Sequence, residues 1–218
     1  MDILIHASRE RNWYVQGYLI PKLLSTKLRV FYDAYHQGNI EAYLRSYEKL
    51  PLTGDTWHLE DDVLPDKRFL KWAEELEDFE GIVCGFGASE ESFYSFPCIR
   101  IPNWYIQTFL IWLKHTDDEC VKARFELGKG IDFIFRKYWI GHQIPVKFMN
   151  PCMVEHIDDL IGGSLINIRE KPLKAYRFED EESLTDLKRW LGRREDGAEK
   201  TRRESGSGDT ASVDGESR

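Results

Sequence analysis

Apolar residues along the chain gather in two kinds of run, and the two alternate. Asp2 to His6 and Leu28 to Tyr32 are compact, rich in Ile, Leu and Val, and close on polar residues, which predicts buried strands. Thr56 to Leu59, Gly81 to Phe86 and Ile144 to Phe148 repeat that pattern. Between them the apolar positions change period. Ile40, Tyr43, Leu44 and Tyr47 recur at helical spacing within Asn39 to Leu50, as do Phe69, Leu70, Ala73 and Leu76 after a Pro65-Asp66 start. Asn103 to His115, Asp117 to Leu127 and Gly130 to Trp139 read as three further helices. Strand, helix, strand, helix, strand at the front of the chain predicts an α/β domain with right-handed crossovers. Ligands in such sheets bind beyond the carboxyl ends of the strands, so the residues just after each strand are the ones to inspect.

Composition supports a packed domain. Of 218 residues, 42% are apolar, and 7 Trp, 10 Tyr and 12 Phe exclude a disordered or fibrous chain. No apolar run approaches the roughly 20 residues that cross a bilayer, so no membrane span is expected, and no signal segment opens the chain. The character changes at Gly192. From residue 193 onward Ala198, Ala211 and Val213 are the only apolar side chains, so residues 1–192 are expected to fold and 193–218 to form a disordered polar tail. The net charge of −8 argues against a general nucleic-acid binder. Four cysteines scattered singly, Cys84, Cys98, Cys120 and Cys152, read as reduced thiols of a cytoplasmic protein rather than a disulfide or zinc framework.

The candidate chemistry stands just past the strand at Thr56 to Leu59, where Glu60, Asp61 and Asp62 lie side by side between apolar neighbours. Like charges this close repel, and a shifted pKa or a bound cation relieves them. A hard divalent ion that keeps open positions for phosphate oxygens suits such a set. The plainer reading is an acidic turn at the start of the helix near Pro65, since carboxylates favour helix amino-termini. Downstream, Phe93-Tyr94-Ser95-Phe96-Pro97 and Ile101-Pro102-Asn103-Trp104-Tyr105 form an aromatic-rich stretch suited to stacking on a sugar or a base, or to core packing. Gly85-Phe86-Gly87 is too weak a signal for a phosphate loop.

The run Trp57-His58-Leu59-Glu60-Asp61-Asp62-Val63-Leu64-Pro65, with Phe69 beyond it, resembles the acidic motif of nucleotide-sugar glycosyltransferases of the Asp-x-Asp class. The likeness is to the Leu-Glu-Asp-Asp version found in lipopolysaccharide-type enzymes and small phage-borne relatives. Other landmarks stand in family order: His6-Ala7-Ser8-Arg9 after the first strand, where the family holds the base, and Asp33 after the second, where an acid meets base or ribose. Pro151-Cys152-Met153-Val154-Glu155-His156 resembles the Pro-x-Leu-Val-x-His segment that closes the site. The resemblance covers about residues 1–165 and implies a GT-A fold, a mixed, mostly parallel sheet flanked by helices.

Carried over, the resemblance implies that Asp62 binds the metal and bridges it to the diphosphate of a UDP-sugar donor, with Glu60 or Asp61 contacting the donor and His156 completing the metal shell. Two carboxylates with an imidazole suit Mn²⁺ more than Mg²⁺. Inverting relatives place a carboxylate base at the start of a helix beyond the acceptor loop. Asp132 is the candidate, with Asp117 and Asp118 in reserve; a retaining enzyme needs no such base. The acceptor hydroxyl belongs to a glycan, a protein or a modified phage DNA base, so nucleic acid enters only as acceptor. The rival reading is a non-catalytic α/β binding or phage accessory protein whose acidic turn is structural.

Overall fold

A computed structural model describes residues 1–23, 27–33, 39–87, 96–128, 130–162 and 174–206. Residues Met1–Asp180 form one compact unit and Glu181–Arg218 a second. The first is an α/β domain. Its strands β1 (Asp2–Ala7), β2 (Leu28–Tyr32), β3 (Asp55–Glu60), β5 (Ile82–Cys84), β6 (Cys98–Pro102) and β7 (Val146–Phe148) make a six-stranded sheet in the order β2-β1-β3-β6-β5-β7. β1 pairs in parallel with both β2 and β3, and β5 with β7; β6 alone is antiparallel to its neighbours. A second, two-stranded sheet pairs β4 (Val63–Pro65) with β8 (Val154–His156).

The period-two alternation of the strands feeds two cores. One face presents Leu4, Ile82, Cys84, Ile99 and Ile101 to apolar residues of α3 (Asn39–Tyr47), α5 (Asn103–His115) and α7 (Ile131–Gly141). At its centre Phe135 is fully buried and meets the rings of Phe96, Phe109, Tyr138 and Trp139 at centroid distances of 4.8–5.9 Å. The other face carries Trp57, which meets Phe69 of α4 (Phe69–Glu75) edge-on at 5.4 Å.

Most expected elements stand where the periodicity puts them, within a residue or two at their ends. Pro65-Asp66 is a difference. Pro65 closes β4 rather than opening a helix, and Asp66 makes a turn, accepting from the Arg68 backbone N–H and from its guanidinium at 2.8–2.9 Å, so α4 starts at Phe69. β4, β6 and β8 are additions to the expected set, as is the helical segment formed by α1 (Asn12–Tyr14), a π turn (Val15–Leu19) and α2 (Ile20–Leu23). The α6 helix (Glu119–Glu126) is capped by Asp118, whose carboxylate accepts from the Cys120 and Val121 N–H groups.

The second unit holds α8 (Glu181–Gly206), a helix that runs across residue 192 to Gly206. Earlier in the same helix Arg189 and Asp186 pair at 3.0 Å. Residues 207–218 lie outside the described residues. Among the described residues no helix is long and apolar enough to cross a membrane. All four cysteines are free thiols.

Phe135→Ala removes the ring at the meeting point of α3, α5, α7 and the sheet and should destabilise the protein by about 3–5 kcal/mol. Ile140→Ala, on the exposed face of the same helix, should change stability by no more than about 0.5 kcal/mol. Urea unfolding of the two variants checks the contrast.

Candidate active site at the carboxyl ends of β1 and β3

Parallel pairing of the two central strands aligns His6 with Glu60, so both chains leave the sheet together at its carboxyl edge. The segment beyond β1 therefore faces the turn beyond β3. Asp61 Oδ2 accepts from the Ser8 N–H at 2.6 Å and the Ser8 hydroxyl at 2.8 Å. Arg11 Nη1 donates to Asp61 Oδ1 at 2.8 Å and to Asp62 Oδ2 at 2.6 Å. Arg11 is 5% exposed; burial opposes its charge, but Asp62 and Asp61 hold it protonated. Asp61 is raised by burial and by Asp62, against the pull of Arg11 and Ser8. Both oxygens of Asp61 are therefore engaged by the protein.

Asp62 is different. One oxygen is held by Arg11, while Oδ1 is buried with no hydrogen-bond donor among the described residues and lies 3.4 Å from His156 Nε2. The small sheet brings that imidazole in. β4 leaves directly from the acidic turn and pairs antiparallel with β8 in the register Val63↔His156, continued by Ile157 N–H to the Asp62 carbonyl at 2.8 Å. Behind β8, Met153 N–H donates to the Gly85 carbonyl at 2.7 Å. A Cβ on Gly85 would stand 2.4 Å from Cys98 Sγ, so this glycine serves packing. On the far side of His156, Nδ1 lies 3.2 Å from Asp158 Oδ1 in the 3-10 turn Asp158–Leu160, without a hydrogen bond between them. Asp158 is itself buried. A carboxylate orients a ligating histidine when the other ring N–H donates to it, a bond that this pair does not make.

Glu60 turns toward the other face, where the Tyr43 hydroxyl of α3 donates to its Oε1 at 3.1 Å. Burial, and next the Asp62 carboxylate, push Glu60 up to about 8; Asp61 and Asp132 add to the rise, and Tyr43 works against it. The contribution of Asp132 shows that the first turn of α7 lies within electrostatic reach of Glu60. Glu60, Asp62 and His156 each offer a ligand atom within 4.8 Å of the others, the spacing of a metal site. An acceptor oxygen with no donor beside a second potential ligand is what such a site looks like in its donor set, so these residues fit a divalent ion.

The remaining sequence candidates are placed less uniformly. Asp33 stands just past β2 and its N–H donates to the Ala7 carbonyl at 3.0 Å, which puts it at the same sheet edge. Arg9 is exposed, and Ala7 is buried in the ladder. The His6 ring packs inward, stacked on Tyr43 at 4.0 Å with Nε2 3.2 Å from His58 Nδ1, and burial lowers it to about 3. Asp117 and Asp118 sit at the start of α6 with Lys122 and Lys137 as partners, and Asp118 is a helix cap. Phe96 is core, Phe93-Tyr94-Ser95 lie outside the described residues, and Trp104 and Tyr105 stand at the opposite end of β3, beside Asp55. Arg11, which bridges Asp61 and Asp62, is absent from the sequence candidates; its place just beyond β1, four residues past Ala7, is the only signal that points to it.

No protein-family model matches the chain, and no curated protein does. Among solved structures the chain is similar to a protein described as a glucose-1-phosphate thymidylyltransferase from Bacillus anthracis, in complex with sucrose. The identity is 10% and the TM-score 0.40, over 68% of this chain and 86% of that one. It is also similar to A197 from STIV, at 11% identity and a TM-score of 0.39, over 72% of this chain and 86% of that one. Likeness at this level assigns neither a family nor an activity.

The proton on Glu60 has a measurable consequence. Between its ordinary value near 4.5 and about 8, the unfolded chain has released a proton that the folded one keeps, so stability falls as pH rises. His6 acts oppositely but only between about 3 and 6.5, where the unfolded chain binds a proton that the folded one refuses. From pH 6.5 to 8 in chelator, the wild-type melting temperature should therefore fall relative to that of Glu60→Gln. Parallel profiles would show Glu60 ionised at neutral pH.

Proposed function

We propose that the protein is a metal-dependent glycosyltransferase that moves a sugar from a uridine-diphosphate-type donor to an acceptor hydroxyl. The observation that carries this is the convergence of Glu60, Asp62 and His156 within 4.8 Å at the carboxyl edge of the central strands. That edge is where an α/β sheet takes its ligands, and Asp132 stands within electrostatic reach of the same cluster. Asp62 Oδ1 and His156 Nε2 would hold the ion; Glu60, with one oxygen bound by Tyr43, has the other for ion or donor, whereas Asp61 has neither oxygen free of the protein. The imidazole favours Mn²⁺ over Mg²⁺. When bound, the ion supplies charge stabilisation to the leaving diphosphate.

The chain's own groups do the rest. Ser8, Arg9 and Asp33 flank the edge where base and ribose would lie, and Arg11 fixes the acidic turn against repulsion. Asp132, in the first turn of α7, would take the proton of the acceptor hydroxyl. The acceptor is a glycan, a protein or a modified DNA base, and the free thiols agree with a reducing, cytoplasmic setting. The rival, a non-catalytic protein with a structural acidic turn, draws on the Arg11 bridge to Asp61 and Asp62 and is tested by the same measurements.

Calorimetry with uridine diphosphate should show an affinity at least about tenfold higher with Mn²⁺ than with chelator, roughly 1.4 kcal/mol. Asp62→Asn should abolish that difference while remaining folded. Equal wild-type affinity in both conditions would sink the metal assignment and favour the structural turn.

Asp132→Asn should leave uridine diphosphate binding nearly unchanged and lower turnover on the order of 10²–10⁴-fold, because a base acts only in the transition state. Donor hydrolysis serves as the readout when no acceptor is known. Turnover close to wild type would remove Asp132 as the base and favour a retaining reaction.

A further inference from the structure

The acidic cluster rests on a layer of aromatic rings. His6 and Glu60 are paired positions on the neighbouring parallel strands β1 and β3, and the side chains of both meet Tyr43 of α3. The His6 ring lies on the Tyr43 ring at a centroid distance of 4.0 Å and an interplanar angle of 26°. Phe96 and Tyr47 close on it edge-on at 5.3 and 5.9 Å. Tyr43 is 3% exposed, so packing holds the ring in place, and its hydroxyl is aimed at Glu60 Oε1 at 3.1 Å.

The three candidate ligands differ in how they are held. Asp62 is short and has a buried ion pair with Arg11. His156 stands on β8, whose register with β4 is fixed by the ladder. Glu60 has a longer arm than Asp62, and the Tyr43 hydroxyl is the one hydrogen-bond donor to its carboxyl among the described residues. A long carboxylate loses rotamer freedom on binding an ion unless a tether has already removed it. The core itself does not demand this bond. One helical turn away, the Tyr47 hydroxyl is buried without a hydrogen-bond partner among the described residues. The ring packing therefore tolerates an unmet hydroxyl, and the aim of Tyr43 at Glu60 is a separate feature.

We propose that Tyr43 is a positioning residue for the metal site, holding the Glu60 carboxyl with a ligand atom within 4.8 Å of those of Asp62 and His156. The inference rests on the metal reading of those three residues given above. His6, whose ring faces away from the open edge, serves as the platform on which Tyr43 is stacked. Hydrogen bonds that orient a ligating carboxylate matter to the ion, and losing one costs affinity about 10–100-fold.

Binding of Mn²⁺ alone to the full chain, followed through the electron paramagnetic resonance of the free ion, tests the role without any turnover. Tyr43→Phe keeps the ring and removes only the hydroxyl. It should weaken Mn²⁺ binding about 10–100-fold while melting in chelator within a few degrees of the wild type. Tyr47→Phe removes the unmet hydroxyl and should bind Mn²⁺ as the wild type does. In the Glu60→Gln background, itself weakened, Tyr43→Phe should cost nothing further, because its effect passes through that carboxyl. Wild-type affinity in Tyr43→Phe would overturn the positioning role and leave the metal site standing. A loss of equal size in Tyr47→Phe, or in the Glu60→Gln background, would also overturn it, by marking a general disturbance of the core. Failure of the wild type to bind Mn²⁺ would overturn the metal reading itself, and the role of Tyr43 with it.

Discussion

Burying Asp61 and Asp62 at the end of β3 obliges the protein to bring a cation to them, and Arg11 is the one it brings. A lone buried carboxylate costs several kcal/mol and breaking such a pair about 3–5, so the contact constrains everything attached to it. It fixes the segment after β1 against the turn after β3. It anchors the short helical path from Asn12 onward, where the Tyr14 hydroxyl donates to the Val63 carbonyl at 2.7 Å. Val63 opens β4, β4 positions β8, and β8 carries His156 to Asp62. The site and the small sheet are consequences of one electrostatic requirement met across about fifty residues of sequence.

The acidic site is legible in the sequence where the signal is local and illegible where it depends on distant partners. Glu60-Asp61-Asp62 at a strand end needs only the alternation of apolar residues before it. β4 does not show, because three residues ending in Pro65 resemble a helix start unless β8, some ninety residues later, is known to pair with them. β6 is hidden by Arg100, a charge in the middle of five fully buried residues. It is tolerated because Asp55 and two carbonyls surround it, which no window around Arg100 reveals. The strand end at His6 is legible but the direction of its side chain is not, since strand alternation sends the ring to Tyr43 and away from the open edge.

The motif leaves open whether Glu60 or Asp61 belongs to the ligand, and the hydrogen bonds divide the two. Asp61 gives one oxygen to Arg11 and the other to Ser8, so moving it would cost three charge-assisted bonds at once. Glu60 is held by a single tyrosine hydroxyl and carries a proton that burial and its acidic neighbours favour. A proton is a small cation that a larger one can replace. The carboxyl that its surroundings keep neutral is therefore the one a divalent charge would most readily ionise, because the same Asp62 field that raises Glu60 also attracts the ion. In the proposed site Asp61 would be the frame of the turn and Glu60 its adjustable ligand. Asp62 would do both jobs, with Oδ2 on Arg11 and Oδ1 turned to His156.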